Sequence, residues 1–248
     1  MPSTALADKA PSTVNVSLRE SRLVVGRVLR ALGVPRGAVN AARDTTVVAD
    51  ALGLDALRLL HDDAETVRRT AAAHNHRRTE GPDTTVDARG RHALVAAPDL
   101  LDLAVALTHR HVRARVAVLD VVRPELLDVL PVRAAEFGVA VTVSEDGGRR
   151  VLECAPLREA APADPLDHVL RHGLDVSADL WWNLFRLGNE ALTPDSALSR
   201  QHTGRSVFDE SGRIVGEVGE DWADQPSEPS RPSEPADPAA APILSDGR

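Results

Sequence analysis

Two hundred and forty-eight residues with 43% hydrophobic content suit one ordinary α/β domain or two small ones, so the chain is not disordered as a whole. Aromatic residues make up 2%, with no Tyr, and the 29 basic residues are 28 Arg and the single Lys9, which excludes a catalytic tyrosine and argues against Schiff-base chemistry or a Lys-cradled phosphate loop. The lone Cys154 excludes a disulfide framework and multi-cysteine metal sites, and a net charge of −8 gives no reason to expect nucleic acid or an anionic membrane as partner.

The first 14 residues and the last 29 read as tails. Residues 220–248 hold seven acidic side chains against Arg231 and Arg248, five of the eight net negative charges, and repeat Pro-Ser-Glu-Pro at 226 and 232. Between the tails a single α/β (α+β) domain is expected over residues 15–219. It opens on a helix started by the capping box Ser17-Leu18-Arg19-Glu20, striped by Leu18, Val24, Val25, Val28, Leu29 and Leu32, and stopped by Gly33. A second helix begins near Pro35 and continues, past a break at Gly53, to Leu60, which completes an N-terminal helical hairpin.

Strands are predicted at 84–88, 92–97, 115–121 and 139–144, with helices from Pro98 to His111 and from Pro124 to Phe137, the latter kinked at Pro131. Alternation of strand and helix implies right-handed crossovers and a mixed, partly parallel sheet. Asp146-Gly147-Gly148 turns the chain into a strand at 149–154. Helices at 164–172 and 177–192 follow, then a closing hairpin over 206–218 that turns at Glu210-Ser211-Gly212. No apolar run is long enough to span a membrane and the N-terminus lacks a secretory pattern, so a cytoplasmic location is expected.

His61-Asp62-Asp63 groups a base with two carboxylates, a set that can do acid–base work or solvate a helix face. The polar stretch after Leu192 is the second candidate: Thr193, Ser196, Ser199, Arg200, His202 and Arg205, beside a helix start at Thr193-Pro194, are the residue types that hold a carboxylate or phosphate, and equally those that cap a short helix. His168 and His172 are four apart, but no third metal ligand is evident, so no metal site is assigned. His74 and His76 sit in a polar stretch read as a solvated loop, and His109 and His111 end a helix. Cys154 lies in an apolar strand and reads as a small buried hydrophobe. Trp181 and Phe185 share a helix face and are expected in the core, with Trp182 pointing elsewhere.

The segments SLRESRLVVGRVLRALGVPRGAVNAARDTTVVADAL and DARGRHALVAAPDLLDLAVALTHRHVRARVAVLDVVRPELLDVLPVRAAEFGVAVTVS resemble the N-terminal half of the malate/L-lactate dehydrogenase family, the NAD(P)-dependent type without a Rossmann fold. The resemblance implies that family's fold, a dimer and an NAD(P) cofactor. Where the family carries Ser-His-Gly after the second helix, the register set by Leu57-Arg58 places Asp62-Asp63-Ala64, with His61 two positions early. Where it carries Asn-x-x-His-aromatic-Gly, this chain has Val121-Val122-Arg123-Pro124. The chain is also similar to a bacterial family, without an assigned activity, that begins with Ser-Leu-x-Glu and ends with Pro-x-Ser-x-x-Ser-Arg, here Ser17 to Glu20 and Pro194 to Arg200. The sequence is therefore read as a dehydrogenase-like scaffold that lacks the hydride-transfer histidine. No cofactor is assigned, with NAD(P) disfavoured, and the chain is expected to bind a small anionic metabolite or serve as a companion subunit, and to pair as a homodimer. The rivals are an enzyme that uses His61 with Asp62 or Asp63, or Ser199 with His202, and an interaction protein recruited through the acidic tail.

Overall fold

The computed structural model describes residues 12–158, 163–192, 206–208 and 213–217, and the chain divides into Met1–Leu192 and Thr193–Arg248. The first unit starts with β1 (Thr13–Val16), which begins inside the segment read as a tail and leads straight into α1 (Leu18–Ala31). The capping box forms as expected: the Ser17 hydroxyl accepts from the Glu20 N–H at 3.2 Å, and the Glu20 carboxylate accepts from the Ser17 N–H at 2.9 Å. Gly33, at φ +80°, supplies the left-handed residue that ends the helix. α2 (Arg36–Ala51) packs back on α1. Asp55 is left-handed and caps nothing, so the first turn of α3 (Ala56–Asp62) is served instead by Asp50, whose Oδ1 accepts from the Leu57 N–H at 2.9 Å. α4 (Ala64–Thr70) follows at once.

β2 (His76–Glu80) and β3 (Asp83–His92) form an antiparallel hairpin. β2 corrects the loop expected around His76: every residue of HRRTE is exposed, so this edge strand carries no hydrophobic alternation to betray it. α5 (Ala93–Arg110) then crosses over to β4 (Ala114–Val122), which runs parallel to β3. The strand expected at 92–97 is in fact the first turn of α5. His92 holds an extended conformation and its Nδ1 accepts from the Leu94 N–H at 3.3 Å, so it caps the helix rather than starting a strand. α5 is buried on nearly every side, between α2 and the sheet, which is why its apolar run has no clean helical stripe.

The helix expected from Pro124 to Phe137 is divided into a 3-10 helix, Pro124–Val129, and α6 (Leu130–Ala135), with Pro131 in the first turn of α6 where its missing N–H costs nothing. β5 (Val139–Asp146) and β6 (Arg149–Pro156) form the expected hairpin. The strand order is β2-β3-β4-β6-β5, with β3 and β4 the parallel pair and every other neighbour antiparallel. α7 (Leu166–His172), β7 (Leu174–Ser177) and α8 (Ala178–Asn189) complete the unit. β7 pairs antiparallel with β1, and Asn15 Nδ2 donates to the His172 carbonyl and to Asp175 Oδ1, each at 2.8 Å. α8 lies on α1, with Trp181 and Leu184 buried.

In the second unit β8 (Ser206–Phe208) and β9 (Ile214–Glu217) pair antiparallel, as the closing hairpin requires, while its turn residues lie outside the described residues. Among the described residues no helix is long and apolar enough to cross a membrane.

Candidate functional site

The carboxyl ends of the parallel strands β3 and β4 are where an α/β unit exposes a crevice to ligands, and here both strands leave the sheet through strained backbone. In β3 the pairing with β4 slips between Asp87 and Arg91: the Arg89 N–H donates to Asp87 Oδ1 at 2.9 Å, and Arg89 and Gly90 take φ +53° and +71°. In β4 Asp120 stands at φ +47°, and Arg123, the residue just after the strand, at φ +60°. L-residues held in this left-handed region carry a conformational cost that clusters at functional places. The bulge brings His92 into register with Val122, so Arg123 leaves the sheet beside the histidine.

Asp63 closes the constellation from the junction of α3 and α4. Its N–H donates to the Leu59 carbonyl at 3.0 Å, ending α3, and its carbonyl accepts from the Val67 N–H at 3.0 Å, beginning α4. The side chain is thereby aimed inward, where Oδ2 meets Arg123 Nε at 2.5 Å and Oδ1 meets Nη2 at 3.3 Å, a two-point carboxylate–guanidinium pair. Oδ2 also lies 3.5 Å from His92 Nε2, too long for a hydrogen bond, and Nε2 is buried with no other partner.

His92 is completely buried. Because Nδ1 accepts from the Leu94 N–H, a neutral ring carries its proton on Nε2, facing Asp63. Burial drives its pKa down to about 4, against the raising effect of the Asp63 charge, with Arg123 adding to the depression, so the ring is neutral at physiological pH. Burial pushes the Asp63 carboxyl upward, but the Arg123 hydrogen bond and charge outweigh it and hold Asp63 below the ordinary carboxylate range. Asp63 and Arg123 are thus an ion pair in front of a neutral imidazole.

This arrangement splits the His61-Asp62-Asp63 cluster. Adjacent residues at a helix end point in different directions, so Asp63 turns inward while His61 Nδ1 and Asp62 Oδ1 face each other at 3.2 Å near the surface. His92 and Arg123 were not singled out as site residues by the sequence. The available signal was a lone histidine after Arg89-Gly90 at the head of an apolar run, the pattern of a capped buried helix.

Residues 193–205, with Thr193, Ser196, Ser199, Arg200, His202 and Arg205, lie outside the described residues. His168 and His172 lie with ring centroids 4.7 Å apart and ring planes tilted by 40°, and no group of three or more His, Cys, Asp or Glu side chains among the described residues is arranged to hold a metal ion. Cys154 is buried, and burial raises its thiol pKa to about 11. Trp182 is half exposed and meets Phe185 edge-on at 5.7 Å.

A nicotinamide dinucleotide, implied by the sequence resemblance, would meet no free proton donor at His92. The one imidazole proton there points at Asp63 from a fully buried ring, and the neighbouring guanidinium is already engaged.

The sequence matches no family model and no curated protein. Among solved structures the chain is similar to malate dehydrogenase from Entamoeba histolytica (14% identity, TM-score 0.46, 83% of this chain and 59% of that one). It is also similar to malate dehydrogenase from Pyrococcus horikoshii (17%, 0.41, 67% and 61%) and to sulfolactate dehydrogenase from Methanocaldococcus jannaschii (14%, 0.37, 47% and 37%). The chain spans less than two thirds of the length of each of these three proteins, and its structural neighbours are dehydrogenases of malate and sulfolactate at low sequence identity.

Proposed function

We propose that the chain is a dehydrogenase-like scaffold without a working hydride-transfer site, which binds a small anionic metabolite or acts as the companion subunit of an enzyme, and which pairs as a homodimer. One observation carries this reading: the two segments in which the chain departs from the dehydrogenase motifs, at Asp63 and at Arg123, are joined to each other by an ion pair. Reduction of a carbonyl needs an accessible proton donor beside the reacting carbon. His92 is buried and neutral, and Asp63 is ionised and engaged, so neither supplies one. The Thr193, Ser196, Ser199, Arg200, His202 and Arg205 cluster is the proposed anion-holding segment, because its arginines and hydroxyls suit a carboxylate.

The test is a thermal-shift series with NADH, NADPH, 2-oxo acids and 2-hydroxy acids, beside an NADH-oxidation assay. A ligand that binds only the folded state raises the melting temperature. A small acid should do so, and the Arg200→Ala/Arg205→Ala variant should lose the response. Oxidation of NADH by a 2-oxo acid, lost in His61→Ala or Asp63→Ala, would show a working enzyme and overturn the proposal. Sedimentation at micromolar concentration checks the dimer.

A further inference from the structure

We infer that the groove between α1 and α2 is a binding site for a small molecule bearing a diphosphate group. Arg19, Arg22, Gly26 and Arg30 follow one another at three- and four-residue steps along a face of α1, Leu23 lies beside Arg22 on the same face, and Arg43 reaches in from α2; together they line an open groove of about 280 Å³. Four guanidinium groups stand here against one bonded carboxylate, Asp44, which meets Arg22 at 3.2 Å and Arg43 at 2.9 Å. Asn40 Oδ1 accepts from Arg43 at 3.2 Å. The Arg19 and Arg30 side chains have no ion pair or hydrogen bond among the described residues. In a chain whose net charge is −8, this surplus of positive charge is a local concentration rather than the background of the surface.

The donors are left over as well as the charge. Arg22 Nε is buried, and although Asp44 is near, the geometry forms no hydrogen bond. Repulsion along one helix face is unrewarded until an anion enters between the arginines. Planar guanidinium forks match phosphate oxygens two at a time. Their placement along the groove, with Arg19 and Arg30 more than two helical turns apart, suits two linked phosphates better than one. Gly26 is buried and has no side chain to fill the middle of the groove, and half-exposed Leu23 offers an apolar wall for whatever the diphosphate is attached to.

The test is calorimetric titration of the full chain at low ionic strength with inorganic pyrophosphate, ADP and orthophosphate. Pyrophosphate and ADP should saturate one site per chain, with orthophosphate at least tenfold weaker, and added salt should weaken all three. The Arg19→Gln/Arg30→Gln variant should bind pyrophosphate at least tenfold more weakly while melting at the wild-type temperature. Leu23→Glu, which sets a carboxylate in the groove without removing an arginine, should do the same. Arg200→Ala/Arg205→Ala should leave pyrophosphate binding unchanged, separating this site from the proposed metabolite segment. No saturable binding of pyrophosphate or ADP, or undiminished binding in both groove variants, would overturn the inference. So would a synthetic acidic peptide that binds where pyrophosphate does not, since the groove would then be a peptide-docking surface.

Discussion

Replacing His92 with Asn should change how stability depends on pH more than it changes stability at pH 7. In the native chain His92 titrates at about 4 against an ordinary value of 6.5. As pH falls below 6.5 the unfolded chain takes up a proton that the folded chain refuses, so the folded state loses ground until the pH reaches the native value. The loss is about 2 kcal/mol between pH 7 and pH 5, and about 3 kcal/mol by pH 4. For a domain of this size 2 kcal/mol corresponds to about 4–8 °C in melting temperature. Asn can still accept from the Leu94 N–H as a helix cap, but it does not titrate. Two other carboxylates with shifted pKa values act differently. The lowered pKa of Asp63 removes stability only as pH falls through and below the usual carboxylate range, and Asp50, raised mainly by burial, contributes the opposite sign. Both remain in the variant, and because Arg123 rather than His92 is the larger cause of the Asp63 shift, which acts only near and below the usual carboxylate range, the difference above pH 5 is that of His92. Urea denaturation at half-unit steps from pH 7.5 to 4.5 reads it directly. The stability difference should shrink by about 2 kcal/mol between pH 7 and pH 5. Parallel curves for wild type and His92→Asn would refute the picture of a buried neutral ring.

Three further outcomes test the packing and the backbone. Gly173 sits at φ +74°, and a Cβ there would lie 2.3 Å from Asn15 Oδ1 and 2.9 Å from the Val16 carbonyl, so Gly173→Ala should destabilise by about 2–4 kcal/mol in urea titration. Asp120, exposed at φ +47°, should accept Gly with a gain of about 0.5–1 kcal/mol, visible as a small rise in melting temperature. Cys154, buried with its pKa near 11, should react with a disulfide reagent at pH 8 only after denaturant is added, and fast labelling of the native chain would contradict its burial.

The helical hairpin was legible because its signals are local: Ser17 and Glu20 are three residues apart, and the stripe of Leu18, Val25 and Leu29 repeats at helical spacing. The β-branched runs of β4 and β5 were legible for the same reason. The position of β6 between them was not, because strand order depends on pairings such as Ala114 with Cys154, forty residues apart in sequence. His92 was hidden by a conflict of periods. Once α5 is enclosed by the sheet and α2, its sequence no longer alternates polar and apolar faces, and HALVAA reads as a strand. The His61-Asp62-Asp63 group was visible as a composition, but which carboxylate turns inward is decided by the break between α3 and α4 and by Arg123, sixty residues later.

The pairing of β1 with β7 has a consequence for synthesis. Thr13 pairs with Ser177, so β1 leaves the ribosome ahead of the rest of its unit and has no partner until nearly the whole of that unit has emerged. The hairpin of α1 and α2 and the β2–β3 hairpin can form from their own neighbourhoods, whereas this contact must close a loop of more than 150 residues. Chains released before residue 177 should therefore carry an unpaired β1 and an uncovered α1 face where α8 belongs, which makes truncated products natural targets for chaperones or proteases.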